Sequence, residues 1–202
     1  MTDTPLFADP LFGLRCWRVT EDDRGEWLSA PHQNTRWPPG GRWLEAKCPL
    51  GHGAPAAGCD CGLHAWHPRR RSAHDVLAVR RAVAGIVEAQ GAIELHEDGF
   101  RAAMARPYAL IATPGSNTAL IHRLAERYGT PVVDVSGPRA LLAWCRERGL
   151  GMGADVVAEL LGTGGLAERR RARFRRRAND AARVAAAFSA AAGLVILGLH
   201  IA

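Results

Sequence analysis

The chain has 202 residues, 48% hydrophobic and 23% charged, with a formal net charge of +6. These proportions exclude a wholly disordered chain and allow one large domain or a smaller body with appendages. Five cysteines, three of them clustered, do not make an even-numbered disulfide framework.

The opening MTDTPLFADP has neither the basic n-region nor the apolar h-region of a secretory signal, so a reducing cytoplasm is the expected compartment. Leu14–Val19 alternates as a strand, Glu21–Gly25 reads as a turn, and Glu26–Ser29 as the returning hairpin strand. Trp37-Pro38-Pro39-Gly40-Gly41 predicts a second turn and Arg42–Ala46 a third short strand. Five of the six tryptophans precede residue 67, which in a region of short strands predicts that they fill the core.

The stretch from Cys48 to Trp66, CPLGHGAPAAGCDCGLHAW, carries the sharpest chemistry. Cys48, His52, Cys59 and Cys61 supply four soft or borderline ligands, the number a closed tetrahedral zinc site takes. In extended backbone Cys59 and Cys61 project to the same side, and the intervening glycines permit a tight wrap. His64, two residues beyond Cys61, is an alternative to His52. A catalytic zinc needs an open coordination position and a nearby acid, for which Glu45 and Asp60 are the candidates. An iron–sulfur cluster usually takes four thiolates and would have to recruit Cys16.

Pro68-Arg69-Arg70-Arg71-Ser72 reads as a basic loop. From Asp75 to Ala112 the alanine-rich runs around Val76 and Val83 suit a helix, whereas Gly85, Gly91 and Gly99 favour strands and turns, the preferred reading. Ala92–His96, the turn Glu97-Asp98-Gly99 and Phe100–Met104 then form a hairpin, and Tyr108–Ala112 another strand. Beyond Thr113-Pro114-Gly115 the period lengthens. Ser116 or Asn117 caps a helix that puts Leu120, Ile121, Leu124 and Tyr128 on one face and stops at Gly129. Pro131–Val135 is a short strand, Pro138–Arg148 a second helix, and Asp155–Leu161 a third. Arg146 and Arg148 lie close enough in sequence to lower the pKa of Cys145, although a lone helical cysteine is usually packing. His96 beside Glu97 and Asp98 reads as a solvated hairpin tip or an acid/base group.

His52-Gly53-Ala54-Pro55 and Cys59-Asp60-Cys61-Gly62-Leu63-His64-Ala65-Trp66 together resemble a motif, approximately H-x-A-P-x-x-x-C-x-C-G-x-Y-A-W, of a family of small actinobacterial and phage proteins. Gly99-Phe100-Arg101-Ala102 through Ala105-Arg106-Pro107 is similar to a later block of the same family, so the resemblance spans roughly residues 12–112. It implies that Cys48, His52, Cys59 and Cys61 are a shared structural feature, and it implies no reaction. Because His64 stands where that family has tyrosine, it also implies that His64 is not a ligand.

The C-terminal segment differs in kind. Arg169, Arg170, Arg171, Arg173, Arg175, Arg176 and Arg177 form a run without an acid, and outside it 19 basic residues face 20 acidic ones. The basicity therefore belongs to one segment rather than to the body. Val184–Leu199 follows with sixteen uncharged residues, slightly short of the ~20 that span a bilayer. Flanking arginines stay cytoplasmic and attract anionic lipid, so the pair predicts a tail anchor. Ala185, Ser189 and Gly193 repeat small residues at the spacing of close helix approach, a hint of a homodimer through the tail.

The expected architecture is α+β. It comprises a mostly antiparallel, zinc-stabilised N-terminal β domain (1–112) and a small helix–strand–helix extension (113–162), followed by a basic linker (163–183) and a C-terminal helical membrane anchor (184–202). The expected role is a membrane-tethered, zinc-stabilised adaptor on the cytoplasmic side, binding anionic lipid and a protein partner. Nucleic-acid binding through residues 169–177 and zinc-dependent hydrolysis are the alternatives.

Overall fold

β1 (Leu11–Asp22) and β2 (Gly25–Ser29) form the first hairpin, followed by two short strands, β3 (Leu44–Glu45) and β4 (Leu63–Trp66). Helix α1 (Arg70–Ala78) leads into a long second hairpin, β5 (Ala82–Leu95) and β6 (Gly99–Ala112). Helix α2 (Thr118–Tyr128), β7 (Val132–Asp134), α3 (Pro138–Glu147) and α4 (Ala154–Leu160) complete the order. This is a computed structural model, and it describes residues 10–31, 35–79 and 81–162. The chain divides into Met1–Val157 and Ala158–Ala202, and nearly all the described residues belong to the first unit.

Among the described residues, all seven strands join one sheet. β1 pairs antiparallel with β2 through its second half and with β5 along Leu11–Arg18. β5 pairs with β6, and the far edge of β6 is shared by β4, β3 and β7 in turn. β4 also meets β1 at Leu14↔Trp66, so the path through β1, β5, β6 and β4 returns to its start.

Alternation along the long strands buries both faces. One face carries Trp17, Val87, Ile93, Phe100 and Leu110 beneath α2, which adds Ile121, Leu124 and Tyr128. The other carries Leu14, Ile86, Ala109 and Ile111, packed with Val76 of α1 and with Leu141 and Cys145 of α3. Tyr128 ties the first face together: its hydroxyl donates to the Trp37 carbonyl at 3.1 Å and accepts from the Leu28 N–H at 2.8 Å.

Small residues in β5 leave room for the large ones opposite. A methyl group on Gly85 would lie 2.6 Å from the Trp17 ring and 2.5 Å from the Ala109 carbonyl oxygen. Neither neighbour can retreat without disturbing the sheet. Gly85→Ala is therefore expected to cost about 1–3 kcal/mol through overpacking. Urea denaturation of the variant against the parent chain measures it; an unchanged midpoint would contradict the packing account.

The expected fold class is corrected in three respects. The sheet is mixed, because β7 runs parallel to β6 and joins the same sheet as the N-terminal strands. Helices are not confined to an extension. The basic loop and the Val76 run form α1, where the Ser72 hydroxyl accepts from the Arg69 N–H and Ala73 and Val76 turn into the core. Finally, no described helix is long and apolar enough to cross a membrane, so a spanning helix is not among the elements of this fold. The apolar run 184–199, the small residues Ala185, Ser189 and Gly193, and the seven arginines from Arg169 to Arg177 lie outside the described residues.

The expected tryptophan filling holds for Trp17 and Trp37, which are fully buried and meet edge to face at 5.4 Å. It fails for Trp66, which is 42% exposed. Trp27 and Trp43 instead lie under guanidinium groups, Arg127 at 3.9 Å and Arg106 at 4.7 Å from the ring centroids.

Candidate metal centre

β3 and β4 both pair with β6, Glu45 opposite Met104 and Leu63 opposite Ala102. The chain between them leaves one strand and returns to the same strand a few residues away. Only Pro55 is buried along residues 47–62, so this excursion has no apolar core of its own. Its turns are set by Gly51 and Gly58, whose φ values of 80° and 76° favour glycine.

At the centre of that excursion Cys48, His52, Cys59 and Cys61 present ligand atoms that all lie within 4.8 Å of one another, close enough to hold a metal ion. The edges of the set can be compared with a tetrahedron. Bonds of about 2.3 Å to sulfur and about 2.0 Å to nitrogen imply S···S edges of about 3.8 Å and S···N edges of about 3.5 Å. Cys48 Sγ and Cys59 Sγ are 3.7 Å apart, and Cys48 Sγ lies 3.2 Å from His52 Nε2. Those two edges lie within about 0.4 Å of a tetrahedron, and the widest separation allowed in the set, 4.8 Å, would contract by about an ångström around an ion.

The protonation pattern suits the same purpose. His52 Nδ1 donates to the Gly53 carbonyl at 2.9 Å, which leaves the Nε2 lone pair for a metal. That carbonyl, with the Cys59 thiolate, also raises the His52 pKa. The Cys61 backbone N–H, helped by the side chains of Cys61, Cys48 and His52, pulls the Cys59 thiol down to about 7. Partial desolvation and the neighbouring Cys59 raise Cys61. The Leu50 N–H donates to Cys48 Sγ at 3.4 Å.

Cys59 and Cys61 converge through a bend rather than along a strand, which corrects the extended geometry expected for them. What holds the bend is Arg101 of β6. Its guanidinium is almost fully buried and donates through one nitrogen to the carbonyls of both Cys59 and Cys61. The other terminal nitrogen donates to Glu94 at 2.6 Å, and Nε donates to His96 Nε2 at 3.3 Å. His96 is accordingly a member of this support and not a free hairpin tip. Arg15 of β1 gives similar support farther along the chain, donating to the His64 carbonyl while lying over the Trp37 ring.

The alternatives separate cleanly. His64 is exposed and its Nε2 donates to the Asp60 carbonyl at 3.1 Å, so it stands outside the ligand set. Cys16 is buried in β1. Cys145 is buried in α3, and burial pushes its thiol up to about 11, against the lowering expected from its arginine neighbours. Glu45 and Asp60 are both solvent-exposed.

Sequence reasoning does not single out Arg101 and Glu94, or place His96 beside the cluster. A signal exists nonetheless: Glu94 and Arg101 sit opposite each other in the β5–β6 hairpin, as opposite charges at equal distance from its turn. No family model, curated protein or solved structure matches the chain.

Proposed function

We propose that this chain is a zinc-stabilised binding module in which the metal is a structural staple. The observation that carries this reading is the convergence of three cysteine sulfurs and one histidine nitrogen within 4.8 Å. A donor set of three thiolates and one imidazole suits zinc, whereas oxygen-preferring cations favour carboxylates and carbonyls. Four protein ligands fill a tetrahedral shell. A catalytic zinc keeps a position for water, and the exposed Glu45 and Asp60 have no such position to serve.

The staple has a mechanical reason. Residues 47–62 lack a core, yet both ends must be held against β6 for β3 and β4 to pair. A metal joining Cys48 and His52 to Cys59 and Cys61 clamps the two ends together.

Elemental analysis of the full chain, purified without chelator, is expected to give about one zinc per molecule with a Cys3His set. Cobalt substitution should add the absorption of a tetrahedral thiolate site. Iron with visible charge-transfer bands would redirect the reading to redox chemistry. A folded chain that carries no metal and takes up none would overturn it.

A further inference from the structure

On the face of the sheet away from α2, helices α1 and α3 border an open groove of about 740 Å3. Arg70, Arg71 and His74 line it from α1, and Arg139 lines it from α3 beside Gly137 and Pro138. Its one acid is Asp75, which lies 3.8 Å from the Arg71 guanidinium and 3.7 Å from the His74 ring. Three arginines against one carboxylate leave two net positive charges before His74 is counted. The remaining wall is largely hydrocarbon, from arginine stems, Ala140 and Leu142.

These cations are placed against local preference. The first turn of a helix carries partial positive charge and favours acids. Neither α1 nor α3 has an acid in its first turn, and each has arginine there, Arg70 and Arg71 in one and Arg139 in the other. Nothing in the core requires this, because all three side chains are exposed. A local rule broken at several positions around one cavity marks a site whose compensation comes from outside the fold.

From this cavity and its charges we infer that the groove between α1 and α3 binds a phosphate-bearing ligand. Guanidinium forks match the paired oxygens of phosphate, and a dianionic phosphate matches the net charge. The volume falls in the range of small-molecule sites, about 300–1,000 Å3, and the apolar wall suits a flat organic body attached to the phosphate. A free nucleotide and a nucleotide within a strand share this chemistry. The inference goes beyond the zinc reading, since it concerns the opposite side of α1 from the core and needs none of the metal ligands.

The test uses the zinc-loaded full chain, with fluorescence anisotropy of two probes: a labelled adenosine nucleotide and a labelled single-stranded oligonucleotide. Three proteins are compared: the parent, a groove variant (Arg70→Glu, Arg71→Glu, Arg139→Glu), and a tail variant in which the seven arginines of 169–177 become glutamine. Circular dichroism and zinc content confirm that each is folded. The groove variant is expected to bind at least tenfold more weakly, and the tail variant to retain groove binding. Binding of the nucleotide identifies a free ligand, and binding of the oligonucleotide alone identifies a strand. No binding of either probe by the parent, or binding abolished only in the tail variant, overturns the inference. A parent chain that carries no zinc, takes up none and still binds the probes would sink the metal reading and leave this one standing.

Discussion

Replacing Cys59 with serine is expected to remove zinc from the chain and melt residues 47–62, while the two-faced core of the sheet survives. The magnitudes favour a local loss. Zinc binding supplies about 10–16 kcal/mol in small zinc peptides. Fixing backbone costs about 1–2 kcal/mol per residue. An excursion with a single buried side chain, Pro55, gains little from burial, so the metal's contribution is largely offset by ordering the loop it clamps. The core on either side of β5 and β6 does not depend on that exchange. Hydrogen exchange should therefore rise by orders of magnitude across residues 47–62 and in β3 and β4. It should change little in β5, where Ile86 and Ile93 are fully buried. Chelation of the parent should reproduce the pattern, and acid should too, because protons compete with zinc for all four ligands. Uniform unfolding would mean that the metal holds the whole sheet. An unchanged exchange map would mean that the cluster is incidental.

The second large effect is expected at Arg101. Arg101→Met keeps much of the side chain's length but removes the guanidinium that donates to the Cys59 and Cys61 carbonyls and to Glu94, which keeps only His96 at 3.4 Å. Breaking a buried ion pair from one side costs about 3–5 kcal/mol, because the remaining charge is left uncompensated. Glu94 is 29% exposed and recovers some solvation, so about 2–3 kcal/mol is the better expectation here. At about 2–4 °C per kcal/mol for a chain of this size, the melting temperature should fall by roughly 4–12 °C. Zinc affinity should fall as well, by about 10–100-fold, the usual effect of losing a group that orients metal ligands. The double variant Arg101→Met with Glu94→Gln separates the two costs. It should recover some of the stability and none of the zinc affinity. Recovery of both would show that Arg101 serves only its ion pair.

The sequence made the ligands easy to read and their support hard to read, for a physical reason. Metal chemistry restricts residue type, so Cys48, His52, Cys59 and Cys61 stand out whatever the fold does. Local signals were equally direct where one residue governs a boundary. Asn117 accepts from the Leu120 N–H and Gly129 takes the left-handed cap that ends α2. Arg101 is different, because its role depends on which strand lies beside the Cys59–Cys61 bend. That pairing joins positions 40 or more residues apart, and no local pattern encodes it. The same reason hid the parallel partner of β7. Around Val76 and Val83 the alanine-rich text suits helix and strand alike, and tertiary packing decided between them: α1 turns Ala73 and Val76 inward, whereas β5 needs small residues to admit Trp17.

The return of β4 to β1 has a bearing on how the molecule behaves among its own copies. Along Gly99–Ala102, β6 would otherwise present a row of unpaired backbone donors and acceptors, a template for a strand from another chain. β4 occupies that row, and it begins two residues after Cys61. On the proposed reading, a metal that orders the loop also guards a sheet margin. If zinc is that metal, as proposed, a chain stripped of it is expected to become sticky before it becomes unfolded, so that its solubility would follow zinc supply.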